Sequence, residues 1–126
     1  MSINSFPVGH LFGPYEIILD DFTSSLYSKA IINRKIETHS PFAIVSMTFG
    51  KLLADINLEE GAIHLNQTIN WVKKFDEKER IVASAKIVSK TERRNNFFIK
   101  IKIEYMNKLK NKLGESISTI LINNNE

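Results

Sequence analysis

Near residue 60 the spacing of apolar positions changes from helical to alternating, and the change divides the chain. Upstream of it, Ser40 to Ile56 reads as a helix. Ser40 offers an N-capping hydroxyl, and Pro41 takes the first helical position, where a missing N–H costs little. The body is apolar almost all round: Phe42, Ile44, Val45, Met47, Phe49, Leu52, Leu53 and Ile56. Val45, Phe49, Leu52 and Ile56 keep helical spacing, while Phe42 and Met47 widen the stripe. A helix this apolar needs a wrapper. At about 15 residues it is too short to cross a bilayer, which takes about 20.

Downstream the period is two, the signature of strands with one buried face. In Ala62–Val72 the positions Ile63, Leu65, Gln67, Ile69 and Trp71 share one face, and His64, Asn66, Thr68 and Asn70 share the other. A charged connection, Lys73–Glu79, leads to a strand Arg80–Lys90 with Ile81, Ala83, Ala85 and Ile87 in phase. Arg93–Asn96 suits a hairpin turn, since asparagine tolerates positive φ. Phe97–Met106 alternates most cleanly, with Phe97, Ile99, Ile101, Ile103 and Tyr105 on the buried side. A basic loop, Asn107–Gly114, precedes a last strand, Glu115–Ile122, with Ile117, Thr119 and Leu121 in phase. These four strands are expected to pair in succession as an antiparallel meander.

Before the apolar helix, Met1–Phe12 is expected to be a loosely docked arm punctuated by Gly9 and Gly13-Pro14. Tyr15–Leu19 reads as a short strand. Asp20 or Asp21 caps a second, amphipathic helix with Phe22, Leu26 and Ala30 on one face, and Arg34–His39 links it to the apolar helix. The architecture expected is α+β: an antiparallel sheet, wet on one face, wrapped around one long central helix. No glycine-rich βα turn is present, which argues against a dinucleotide fold.

With 126 residues the chain is expected to form a single domain over residues 1–126. It has no cysteine, hence no disulfide, thiol nucleophile or thiolate metal site. His10, His39 and His64 show no ligand spacing, so no metal is expected. No basic segment followed by an apolar run opens the chain, and a cytoplasmic location is expected. Charge is uneven: residues 1–72 hold 4 basic and 7 acidic side chains, and residues 73–126 hold 13 and 7. A basic half attracts phosphate in a coenzyme, a carrier or a nucleic acid, although a solvated lysine-rich surface is the commoner case.

Several segments in this order resemble the MaoC-like hydratase and dehydratase family of the hot-dog fold. They are Gly13-Pro14-Tyr15; Phe22 with Leu26-Tyr27-Ser28-Lys29-Ala30; Ile63-His64-Leu65-Asn66-Gln67; and Leu113-Gly114-Glu115. Together they span about residues 8–122. The third resembles the "lHgeQ" strand opening of members and halves that lack the catalytic motif. The resemblance implies a hot-dog fold and an acyl-CoA or acyl-carrier thioester as ligand, with no cofactor. Catalytic members carry "GDxNPxH", whose aspartate and histidine activate water for addition to, or removal from, a 2-enoyl/3-hydroxyacyl thioester. Here the corresponding stretch is Ile31–His39. His39 would need an aspartate at position 34, where Arg34 stands. Aligning Asn33 instead supplies an amide, which cannot act as a general base near neutral pH.

His39 is therefore the one weak catalytic candidate, and without a base partner a loop histidine is the better-founded reading. His64, Asn66 and Gln67 are candidate substrate-binding residues; structural hydrogen bonding is the more common role for such groups. Gln67 lies among apolar positions, where an unpaired amide would cost about 1–3 kcal/mol. Lys108, Lys110 and Lys112 are candidates to contact a coenzyme phosphate or an acidic carrier, with a solvated loop as the default. Nucleic acid is not expected, because no exposed aromatic platform accompanies the lysines. Nor is a membrane partner. The function expected is that of a non-catalytic hydratase/dehydratase (lyase-family) subunit. It would form the acyl-binding half of a homo- or hetero-dimer with another hot-dog chain. A divergent active hydratase or acyl-CoA thioesterase, and a non-enzymatic thioester-binding or scaffold module, are the alternatives.

Overall fold

The computed structural model describes residues 3–18, 41–56, 58, 61–73 and 80–123. The amphipathic helix expected near residues 22–33, and His39, lie outside these. A single 3-10 turn, Ile3–Ser5, precedes β1, Leu11–Ile18; then come α1, Pro41–Asp55, and β2, Ile63–Trp71. β3, Arg80–Arg93, β4, Asn96–Met106, and β5, Lys112–Asn123, complete the described elements. All pairings are antiparallel, and the order across the sheet is β1-β3-β4-β5-β2.

β3, β4 and β5 form the meander that the alternation predicts. β2 does not join it beside β3; it crosses to the far edge and pairs with β5. Hairpin adjacency was inferred from sequence order. The intervening Lys73–Glu79 connection, however, is long enough for a strand to reach the opposite edge, and period-two spacing cannot choose between edges.

The core forms where the strands' inner positions meet α1. Ile81, Ala83, Ala85 and Ile87 of β3 and Ile99, Ile101, Ile103 and Tyr105 of β4 are all fully buried, as their phase predicts. Each large side chain buried here stabilises the fold by about 1.5–3 kcal/mol. From α1, Ala43, Ile44, Val45, Thr48 and Leu52 are buried, as is Ile56 just past its end. The wrapping is one-sided, though. Met47, Phe49 and Leu53 are half-buried and Phe42 is exposed. The described strands cover only part of the apolar circumference.

Two local expectations change. The N-terminal arm is docked tightly rather than loosely: Ile3 is fully buried, and the Lys90 ammonium donates to the backbone carbonyls of Asn4 and Phe6. Phe6, His10 and Phe12 pack as an aromatic triad, tilted and edge-to-face, with ring centroids 4.5–5.0 Å apart. The apolar anchors Ile3, Phe6 and Phe12 outweigh the punctuating glycines. In the last strand the phase is inverted. Ser116, Ser118, Ile120 and Ile122 are buried, whereas of the expected set Ile117 and Leu121 are only half-buried and Thr119 alone is buried. Residue bulk misleads here, because the two serines have polar partners on the inner side.

Candidate functional site

Those serines belong to a polar seam on the inner face of the sheet, running along β5 beneath α1. Its rows follow from the register: Tyr105–Gly114–Trp71, Ile103–Ser116–Ile69, Ile101–Ser118–Gln67 and Ile99–Ile120–His64. At the first row the Trp71 and Tyr105 rings lie 5.3 Å apart. A Cβ at position 114 would come within 2.5 Å of the Trp71 ring, so the indole can cross β5 only over glycine. The Tyr105 hydroxyl and Ser116 Oγ share a hydrogen bond of 2.9 Å. Thr48 of α1 donates to the Ile44 carbonyl at 2.8 Å. Burial pushes the Tyr105 phenol up to about 12, and hydrogen bonding to Ser116 and Thr48 pulls it only partly back. Tyr105 therefore stays a neutral donor and acceptor.

Gln67 donates through Nε2 to Ser118 Oγ at 3.1 Å, which supplies a partner for the half-buried amide. At the far end the His64 imidazole stacks on Phe49 of α1, with centroids 5.0 Å apart and planes 18° from parallel. Simple alternation puts His64 and Asn66 on one face and Gln67 on the other. A bulge between His64 and Asn66 overturns that grouping. The extra residue, Leu65, shifts the phase by one, so His64 faces buried Ile120 and Gln67 faces buried Ser118. Asn66 lies opposite Thr119, in phase with the outer face. His64 and Gln67 are thus brought together and Asn66 is set apart.

Lys108 and Lys110 occupy the β4–β5 turn, and Lys112 opens β5. Asn107 builds the turn: its Oδ1 accepts from the Leu109 and Asn111 amides at 3.0 and 2.9 Å. Lys108 and Lys110 are exposed there, flanking Leu109, which is 81% exposed. Lys112 is engaged, with its ammonium 2.6 Å from Glu115 Oε1. That hydrogen bond raises the Lys112 ammonium and lowers the Glu115 carboxyl. The turn adjoins the Tyr105–Trp71 end of the seam; His64 lies six β5 residues further on, about 20 Å away.

Tyr105, Thr48, Ser116 and Ser118 were not singled out by sequence. The available signal was Ser116 and Ser118 recurring at period two in a strand that also holds Ile120 and Ile122. Elsewhere, the Tyr15 hydroxyl donates to Asp55 Oδ2 at 2.6 Å and ties β1 to the end of α1. Partial burial and that carboxylate both raise the Tyr15 phenol. Among the described residues no three His, Asp or Glu side chains cluster to hold a metal. No helix of the described chain is long and apolar enough to cross a membrane.

Most of the seam is packed: Tyr105, Ser116 and Ser118 are fully buried, and it reaches the surface on its β2 side, where His64 is exposed and Gln67 half-buried. It offers side-chain hydrogen-bonding groups along one wall, an imidazole against an aromatic ring at one end and lysines at the other. Among the described residues it shows no paired acid and base.

A sheet of this order against one central helix matches solved structures over its whole length. One is a MaoC-like dehydratase from Rhodospirillum rubrum, with a TM-score of 0.77 at 10% identity, covering 100% of this chain and 99% of that one. The chain has the hot-dog fold. The HadBC (3R)-hydroxyacyl-ACP dehydratase complex of Mycobacterium tuberculosis matches at TM-score 0.73 and 13% identity, over 91% of this chain and 96% of that one. The R-hydratase PhaJ1 of Pseudomonas aeruginosa matches at 0.68 and 12%, over 97% and 85%. No family model matches the sequence, and no curated protein matches it. At such identities the hot-dog likeness is one of backbone architecture, which is what the sequence resemblance implied for the fold.

Proposed function

We propose that this hot-dog chain is the acyl-binding half of a dimer that processes 3-hydroxyacyl or 2-enoyl thioesters, with a partner hot-dog chain supplying the acid–base pair. The observation that carries this reading is where the seam lies. His64 and Gln67 sit on an edge strand none of whose residues is buried, beside the side of α1 where Phe42 is exposed and Phe49 half-covered. A second chain laid against β2 would extend the sheet, cover that side of α1 and close the seam into a tunnel. The fold's neighbours include dehydratases and hydratases, one of them a two-chain complex.

In this reading Gln67, Ser118 and His64 line the acyl path, with Asn66 on the outer side of the same strand. Lys108 and Lys110, with Lys112 behind them, meet the phosphate of a coenzyme or an acidic carrier. Arg34 stands where the catalytic aspartate of the resembled family would be, and His39 does no chemistry alone. The protein works without a cofactor, in the cytoplasm.

The test has two parts. Crotonyl-CoA hydration and acyl-CoA cleavage are measured for the purified chain and for His39→Ala, and the native complex is isolated to identify its second chain. The expected result is thioester binding without turnover by the chain alone, and a partner bearing the intact Asp/His pattern. Turnover by the chain alone that His39→Ala abolishes would instead establish a divergent active hydratase or thioesterase.

A further inference from the structure

A second feature lies on the opposite face of the sheet, at the other end of β4 from the lysine turn. There the β3–β4 hairpin forms a shallow cleft of about 260 Å³ lined by Arg93, Arg94, Asn96 and Phe98. Arg93 opposes Asn96, and Thr91 opposes Phe98. Phe98 also opposes Leu121, which opposes Ile63, so the half-buried ring ends an apolar row crossing three strands. Lys100, exposed, follows on the same face. The ion pairs among the described residues use none of Arg93, Arg94 and Lys100. This corner is therefore a concentration of uncompensated positive charge beside an aromatic surface.

The turn sharpens the point. Arg94 and Asn95 have φ of +51° and +65°, the left-handed pair that a two-residue hairpin loop requires. Asparagine adopts that conformation readily; for arginine glycine would be the less strained choice. The backbone thus holds a second guanidinium next to that of Arg93, at some conformational cost. Guanidinium groups present forked donors that match phosphate oxygens. A phenyl face stacks on a planar base, and an amide can pair with the donors and acceptors at its edge.

We propose that this cleft binds a mononucleotide, its phosphate held by Arg93 and Arg94 and its base stacked on Phe98 with Asn96 at the edge. The chemistry is shared by a free nucleotide and by the nucleotide end of a larger coenzyme. The site does not depend on the thioester role proposed above.

Isothermal titration of the full chain tests it with AMP, ADP, adenosine 3′,5′-bisphosphate, pyrophosphate and a short single-stranded oligonucleotide. The expected result is micromolar binding of at least one mononucleotide, at least tenfold tighter than pyrophosphate. Preference for the bisphosphate identifies a coenzyme end and leaves the lysine turn to an acidic carrier, and preference for AMP or ADP identifies a free nucleotide. Arg94→Gly is the clean variant, because glycine fits φ +51° and the hairpin is kept. It should weaken binding about tenfold with the thermal midpoint unchanged or raised. Phe98→Leu should weaken the nucleotide and leave pyrophosphate unaffected. Absence of nucleotide binding, equal binding of pyrophosphate, or unchanged affinity in Arg94→Gly overturns the proposal. An oligonucleotide bound a hundredfold more tightly than any mononucleotide also overturns it, in favour of a nucleic-acid groove. None of these readouts involves turnover or a partner chain, so failure here leaves the thioester proposal standing, and the reverse.

Discussion

The two edges of the sheet are built to opposite specifications. β1 is interrupted at Gly13-Pro14, where the register slips and proline offers no N–H for pairing. The docked arm continues its ladder: Gly9 donates to the Ile87 carbonyl at 2.8 Å, and Ile87 donates to that of His10 at 3.1 Å. Phe12 and Ile17 of β1 are buried, and Arg80 bridges to Glu16 at 2.9 Å. β2, at the far edge, has nine residues, no proline and no buried position, and it exposes Ile63 (52%) and Leu65 (45%). Soluble proteins rarely leave such an edge bare, because its free N–H and C=O groups recruit another strand. Among the described residues one edge is broken by proline and anchored inward, and the other is the edge at which the proposed function places a second chain.

The comparison can be broken most severely at the finished edge. Ile3→Ala removes a fully buried side chain beneath the arm and should lower unfolding stability by about 2–5 kcal/mol, read by urea titration. If the arm is only loosely docked, the loss stays below about 0.5 kcal/mol. At the open edge, Ile69→Asp puts a carboxylate on the side of β2 that a partner would cover. It should weaken association about a hundredfold, since burying an isoleucine is worth about 1.5–3 kcal/mol. Leu11→Asp, at the still more exposed tip of β1, should leave association unchanged by light scattering. Loss of association in both variants, or in neither, would erase the distinction between the edges.

A smaller effect lies in the seam that joins β2 to the core. The Tyr105 phenol, ordinarily near 10.0, is held at about 12 in the fold, so the folded chain keeps a proton that the unfolded chain loses in that interval. The stabilisation is complete below pH 10.0 and disappears as pH rises to about 12; it is worth about 2–3 kcal/mol in total. Tyr105→Phe should flatten that part of the stability–pH curve, measured by chemical denaturation from pH 9 to 12. At neutral pH it should cost only about 1 kcal/mol for the lost Ser116 hydrogen bond. An unchanged alkaline slope would mean that Tyr105 titrates as it does in water.

How far the sequence could be read tracks how simple the local physics is. β3 as far as Ile87, and β4, were legible because their inner positions are aliphatic or aromatic and their outer ones are mostly polar or half-wet. The central helix was legible from Ser40, Pro41 and the density of apolar residues, but not its half-covered state, because spacing does not say how many chains do the covering. β5 was misread because its two faces carry equal aliphatic bulk, Ile117 and Leu121 against Ile120 and Ile122, so a hydrophobic count cannot choose between them, and the choice falls to the serines, which face inward to meet Gln67 and Tyr105. The grouping of His64, Asn66 and Gln67 turned on one bulged residue, Leu65, and alternation has no means of announcing a bulge. Gln67 itself was legible, since an amide among apolar neighbours must have a partner.

The open β2 edge is the centre of this account, and the mass of the purified chain in solution tests it most directly. Sedimentation equilibrium at micromolar concentration should give at least twice the 14.4 kDa of one chain, shifting toward the single-chain mass in Ile69→Asp. A stable, well-folded species of 14.4 kDa, with its β2 amides protected from hydrogen exchange, would contradict it.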